Sequence, residues 1–370
     1  MDLSLEKIVW SSELSLGSKI IDDDHKELFT IYNTLVDCIE GSKGNALFAA
    51  ILSDMTDYSL THFKKEEAYM ESIGFPGLEE HKRFHKEYIL KTAMFNSRFL
   101  STDPPDLSEV VSFLNLWWRD HILRKDSLYE QHKRTSIRDM VVRELESNSV
   151  KQDIEGFRRF FKEPVELYGV KIPLVSKISA SVYKKLIHTD KESVFSVCEE
   201  LFRSGMMEES FIACNWSLKK SNEFEKDDFE TFERWIGQYV TNWAVCDTFC
   251  NHTMGEFLKS HPEYISRLYD WCSSPNKWIR RASAVSLIVP AREGLFLEES
   301  FKIAGLLLED KEDLVQKGYG WLLKVSSQSH QEEVFNFVME RRGKMPRTAL
   351  RYAIEKMPRE LRSKAMEKTK

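Results

Sequence analysis

The sequence predicts an all-α chain, an up-down four-helix bundle followed by an α-α solenoid, and three observations carry that reading. Glycine and proline are sparse, 15 and 10 in 370 residues. Apolar residues recur at helical spacing, as in Leu28, Ile31 and Leu35, whereas regular strand alternation is hard to find. The pattern also changes near Asn148, from a few long helices to shorter amphipathic pairs. A chain of 370 residues makes two domains a fair expectation, each able to bury its own core. The expected division is 1–135, a helical connector 136–152, and 153–370.

The first helix should start near Lys19 and the second run from about Ala46 to Ser72. Gly74-Phe75-Pro76-Gly77 breaks the pattern, and a third helix follows to about Leu100. Pro104 and Pro105 stop it, and Asp106 or Ser108 can cap a fourth helix carrying Trp117, Trp118, His121 and Asp126. Trp117 and Trp118 read first as core packing. Residues 133–152 are charged and lack proline and glycine, which suits a helical connector. Beyond it, helix pairs are expected at 192–204 with 206–219, 232–250 with 262–273, 276–289 with 299–308, and 311–325 with 331–342. Their period of roughly 35–45 residues is that of HEAT-like repeats, which stack into a continuous core.

Two short motifs carry chemistry in the front region. His62-x3-Glu66 and His81-x3-His85 each place two ligands on one helix face, one turn apart. An isolated pair of this kind is usually a surface pair. Here His25 lies upstream and His121 and Asp126 downstream, so five of the ten histidines fall in one pattern, as expected for a two-metal carboxylate site in a helix bundle. Together with Trp10, Gly17, Ile21-Asp22, Phe63, Glu67, Met70 and Trp118, these residues resemble the bacterial hemerythrin domains over residues 6–135. The resemblance implies two non-haem iron ions, oxo- or hydroxo-bridged. His81, His85 and His121 would hold one; His25 and His62 would hold the other and leave a position open to O2 or NO. Glu66 and Asp126 would bridge them. Ligand type alone would also admit manganese or zinc. His121 and Asp126 are spaced i,i+5, and a π-like widening of the helix would bring them together.

A second constellation lies in the solenoid. Trp243 and Asp247 are i,i+4; Arg280 and Arg281 follow Trp278; Trp321 sits among Lys317 and Lys324. Singly, each tryptophan reads as inter-helix packing and each arginine as solvated. Together, with Phe160-x7-Tyr168-Gly169-Val170 and the helix Arg347-Thr348-Ala349-Leu350-Arg351-Tyr352-Ala353, they resemble the HEAT-like alkylpurine DNA glycosylases over residues 150–360. That resemblance implies catalytic positions at Asp247, Trp243, Trp321 and Arg281. It also implies contacts to duplex DNA with alkylated bases from Arg280, Arg281, Lys317, Lys324, Arg347 and Arg351. Arg281 is expected to pair with a phosphate. Two departures stand out: Lys324 occupies a position where arginine is expected, and the acidic stretch 221–231 would weaken DNA binding if it lined the groove.

Formal charge is −6 overall, with −8 in residues 1–150 and +6 in 271–370, so the two ends suit different partners. The six cysteines form no CxxC pair and read as reduced thiols of a cytoplasmic protein. The N-terminus shows no signal peptide, and no apolar run approaches the ~20 residues needed to span a bilayer. The expected function is excision of cationic purines of the 3-methyladenine or 7-methylguanine type by N-glycosidic hydrolysis, with a diiron domain that binds O2 or senses oxygen, NO or redox state. The alternatives are a non-catalytic DNA- or protein-binding scaffold regulated by such a sensor, and an oxygen or iron store incidentally fused.

Overall fold

The computed structural model describes residues 6–187 and 189–367. The chain divides into two compact units, residues 1–138 with 188–196, and 139–187 with 197–370. Among the described residues there is no β-strand, only an isolated bridge between Glu166 and Met206. No helix among them is long and apolar enough to cross a membrane.

The first unit is built on α1 (Lys19–Glu40), α2 (Asn45–Ser72), α3 (Leu78–Phe99) and α4 (Leu107–His121). A π turn, Ile122–Asp126, joins α4 to α5 (Ser127–Ser147), so the stretch expected as a connector begins inside a helix. Each helix buries a stripe at three- and four-residue spacing: Ile21, His25, Leu28 and Tyr32 on α1; Met55, Ser59, His62 and Glu66 on α2; His81, His85 and Tyr88 on α3; Leu114, Trp118 and His121 on α4. Polar ligands thus occupy positions that the helical period sends inward. Asp106 caps α4 by accepting from Ser108 N–H at 2.8 Å. Gly74, at φ +64°, ends α2, with Phe75 N–H donating to the Met70 carbonyl and Gly74 N–H to Glu71. This Schellman ending needs a left-handed residue, which glycine supplies without strain.

In the second unit one row of helices recurs at a spacing of 34–36 residues: Ile172–Tyr183, Met207–Leu218, Trp243–Phe249, Lys277–Val285, Asp313–Ser326 and Arg347–Ala353. Successive members of this row pack on one another. The regular offset is at the short end of the expected period. One expected helix, 232–250, is two: Asp228–Tyr239 ends at Val240, and Asn242 starts a new helix by accepting from Val245 N–H at 3.0 Å. This cap places Trp243 and Asp247 in the repeating row. The entry segment is fixed by buried Glu208, whose carboxylate accepts from the N–H groups of Tyr168, Gly169 and Val170 at 2.9–3.0 Å.

Gly320 lets helices Asp313–Ser326 and Arg347–Ala353 approach closely. A Cβ there would stand 2.8 Å from both the Ala349 carbonyl oxygen and Tyr352 Cβ. Gly320→Ala should therefore destabilise the second unit by about 1–3 kcal/mol, the usual cost of overpacking, as measured by denaturant unfolding. Unchanged stability would show that these helices separate freely.

Candidate metal centre and aromatic cavity

All seven expected ligands of the first unit converge. The side chains of His25, His62, Glu66, His81, His85, His121 and Asp126 are at most 3 % exposed. Glu66, His81, His85 and His121 bring one ligating atom each within 4.8 Å of one another, and so do His25, His62 and Glu66. Glu66 belongs to both groups. Asp126 lies 3.5 Å from His25, 3.3 Å from His81 and 3.1 Å from His121, so it also spans them. The π turn places Asp126 beside His121 across the i,i+5 spacing.

The donor set fits a cation. Seven buried atoms, His25 Nδ1 and Nε2, His62 Nε2, Glu66 Oε2, His81 Nε2 and both Asp126 oxygens, make no hydrogen bond. Buried polar atoms without partners are costly, and seven in one place mark a binding centre. Burial, with His62 alongside, lowers His25 to about 3, and burial also carries His121 well below the usual imidazole range. Both are then neutral, the form that ligates. Burial and the charge of Glu66 push Asp126 well up. Two carboxylates this close and this dry need a cation to be ionised together.

Outer partners orient the ligands. His85 Nδ1 lies 2.8 Å from Glu67, and His62 Nδ1 lies 3.4 Å from Asp24, which also accepts from Lys65 and Tyr58. Tyr129 O–H donates to Glu66 at 2.7 Å. Such contacts fix the imidazole tautomer and ring plane. Sequence reasoning missed Asp24 and Tyr129. Asp24 adjoins His25 on α1 but serves His62 on α2, a relation no local spacing reveals. Trp118 is core, donating to Tyr88 O–H at 3.1 Å. Trp117 does more than pack, since it stacks on the His121 ring at 4.2 Å.

In the second unit a cavity of about 470 Å³ is lined by Trp243, Asp247, Arg281, Lys317, Trp321 and Lys324, with Phe160, Glu163 and Tyr352 among the rest. The expected catalytic residues meet there. Phe160 and Tyr352 were visible in the sequence only as landmarks. Trp243 N–H donates to the Phe160 carbonyl at 3.3 Å, and Phe161 stacks on the indole at 5.3 Å, so one indole face is already covered.

Two expectations require correction. Arg281 is 5 % exposed, and its Nε and Nη2 each donate to one Asp247 oxygen at 2.8 Å. Its remaining Nη1 donates to the Leu314 carbonyl. It is a buried partner of Asp247, with all three guanidinium nitrogens already bonded within the chain. Gly318 packs against it: a Cβ there would lie in ordinary contact with Arg281 Cγ, at 3.4 Å. Arg280 lies outside the cavity, bound to Asp310 at 2.6 Å and to the Ser274 carbonyl at 2.7 Å. The acidic stretch 221–231 contributes nothing to the cavity lining; Glu230 instead pairs with Arg267 at 3.1 Å. Lys317 pairs with Asp313 at 2.7 Å and Lys324 with Glu355 at 3.1 Å. Arg347 and Arg351 are exposed, outside the cavity. Burial pushes the Asp247 carboxyl up, while its bond to Arg281 pulls it back.

Comparison with known proteins adds to this. Residues 141–357 match the family model described as DNA alkylation repair enzyme, and residues 16–132 match that of the hemerythrin HHE cation binding domain. A bacteriohemerythrin from Clostridium acetobutylicum is 32% identical over 126 residues, covering 33% of this chain and 97% of its own length. One from Pseudomonas aeruginosa is 29% identical over 150 residues, covering 40% and 97%. A solved chain described as "Predicted DNA alkylation repair enzyme from Enterococcus faecalis" superposes with a TM-score of 0.52 at 16% identity. That alignment covers 57% of this chain and 98% of the other, a likeness of fold.

The Arg281–Asp247 pair should dominate local stability. Arg281→Ala leaves a buried carboxylate uncompensated and should cost about 3–5 kcal/mol in denaturant unfolding. The double variant Arg281→Ala/Asp247→Asn should recover a large part of that. Additive losses would mean that the two side chains do not act as a pair.

Proposed function

We propose, for a chain that belongs to the DNA alkylation repair enzyme family and carries a hemerythrin HHE cation binding domain in its N-terminal region, that it hydrolyses the N-glycosidic bond of cationic alkylated purines in duplex DNA. The observation that carries this reading is Asp247, a carboxylate held with Trp243 and Trp321 on the wall of one half-enclosed cavity. Hydrolysis breaks the bond between C1′ and the purine nitrogen, the electron pair leaves with the base, and water adds at C1′. Positive charge develops on the sugar, and a fixed carboxylate in a poorly solvated place stabilises it strongly. Arg281 occupies one lone-pair direction on each Asp247 oxygen. A carboxylate has about four such directions, so the outer ones remain for the sugar or for water. Arg281 is thus a positioning residue that keeps Asp247 ionised and oriented. The free indole surfaces of Trp243 and Trp321, with Tyr352, attract a methylated, cationic base.

The bundle fits non-haem iron in its residue types, its burial and its unpartnered donors. In this reading His81, His85 and His121 would hold one iron and His25 and His62 the other, with Glu66 and Asp126 as ligands available to both. Such a centre, when loaded, supplies a redox-active site for a small ligand such as O2 or NO. The chain's own residues neutralise it with two carboxylates, orient its imidazoles through Asp24 and Glu67, and keep it dry with Phe63, Trp117 and Trp118. The cytoplasm is the compartment this pairing of activities suits.

Two iron ions per chain should be found after anaerobic reconstitution, and His85→Ala should lose metal and lower the melting temperature of the loaded protein. Iron near zero in the wild type would remove the diiron reading. Asp247→Asn should cut release of 7-methylguanine by roughly 10²-fold, the order seen when a main electrostatic stabiliser is removed. Activity should fall as pH drops through the Asp247 pKa, which burial raises above the ordinary aspartate value. Arg281→Gln removes the group that lowers it, so that acid limb should move to higher pH. Release equal to wild type from Asp247→Asn would favour the non-catalytic scaffold.

A further inference from the structure

The cations around the aromatic cavity are committed. Arg281 is bound to Asp247, Lys317 and Lys162 to Asp313, and Lys324 to Glu355. Free positive charge lies immediately beside them. Residues 341–370 carry eleven basic and three acidic side chains, net +8, in a chain whose total is −6. Arg351, Arg359 and Arg362, from helices Arg347–Ala353 and Arg359–Met366, line one recess of about 400 Å³. All three are exposed, and among the described residues none of their guanidinium groups has an acidic partner. The one acid in the recess, Glu355, is already held by Lys324 at 3.1 Å.

We propose that this recess grips the phosphodiester backbone of duplex DNA beside the nucleotide held at Asp247, an assignment that rests on the excision reading above. Arginine forks match phosphate oxygens in pairs, and here three converge from two helices. The recess also adjoins the cavity. Arg351 precedes Tyr352, a cavity wall, and the Lys324–Glu355 bridge joins a wall of the cavity to a wall of the recess. A duplex presents a phosphate about every 3.4 Å along each strand, so one engaged at Asp247 offers further phosphates to a neighbouring recess.

The helix that carries Arg359 and Arg362 is anchored to the rest of the unit. Arg342 donates to the Lys364 carbonyl at 2.6 Å and to that of Glu367 at 3.4 Å, closing the end of helix Arg359–Met366, while Met357 and Ala365 are buried beneath it. A lipid surface fits less well, because among the described residues no large hydrophobic beyond Leu306 is exposed and a membrane-seated helix needs an apolar face.

The test uses the full chain and a short fluorescein-labelled duplex containing 7-methylguanine, with anisotropy titrations at several salt concentrations. Arg359→Gln/Arg362→Gln should raise Kd roughly tenfold or more near about 0.1 M salt and reduce the log–log salt slope by about two. Arg351→Gln, on the other helix, should reduce it by about one. All three side chains are exposed, and unchanged circular dichroism melts would show that the fold survives. If the variants keep wild-type affinity and slope while the wild type still excises base, the recess assignment is wrong and the excision reading stands. If the wild type neither binds the duplex nor releases base, both fall. If the variants instead lose binding only to phosphatidylserine vesicles, the surface belongs to a membrane.

Discussion

Both units are organised by one constraint: a carboxylate withdrawn from water must meet a fixed positive charge or a full set of donors. In the bundle, Glu66 and Asp126 are fully buried among five imidazoles. In the solenoid, Asp247 meets a buried guanidinium on both oxygens. In the entry segment, buried Glu208 is satisfied by three backbone N–H groups and becomes purely structural. The difference between the last case and the first two separates framework from chemistry. Where every acceptor is satisfied, the carboxylate only holds the chain. Where acceptors are left over, the surroundings are prepared for something that is not part of the chain.

Much of this was legible in the residues. The bundle ligands were readable because metal chemistry narrows residue type and helix geometry narrows spacing. His62 with Glu66 and His81 with His85 obey the same 3.6-residue period as their apolar neighbours. The i,i+5 pair His121–Asp126 departs from that period and was implied by the resemblance to the bacterial hemerythrin domains, with a π-like widening to bring the two together. The solenoid repeat was visible as a period, but 232–250 was read as one helix because an apolar pattern runs through Tyr239 to Trp243. The stop at Val240 depends on Asn242 bonding to Val245 N–H, a three-residue local bond that outweighs pattern.

What could not be read was pairing between distant segments. Arg281 looked like a surface cation because arginine on a helix usually is one. Its burial comes from bonds to Asp247, 34 positions earlier, and to the Leu314 carbonyl, 33 positions later. Arg280, next in sequence, points to Asp310 instead, since adjacent helix positions face about 100° apart. Cations that line a site and cations that are available to a ligand are therefore different sets here. Counting charge along the sequence cannot divide them, because the bonds of Arg280 to Asp310, Arg281 to Asp247 and Lys324 to Glu355 join residues 30, 34 and 31 positions apart.

The π turns at Ile122–Asp126 and Cys250–Met254 carry a consequence of another kind. Each holds one more residue than an α turn would need. Loss of a single residue between Ile122 and Lys125 would give a regular helix in which Asp126 stands i,i+4 to His121, the same-face spacing of His62 and Glu66, so the bulge is what lets an extra residue be carried without moving the ligands off one face. The first bulge lies between two candidate ligands, and the second follows directly on the helix that carries Asp247. Local helix regularity has been given up at both sites, and at each the helix absorbs one extra residue while the faces on either side stay aligned.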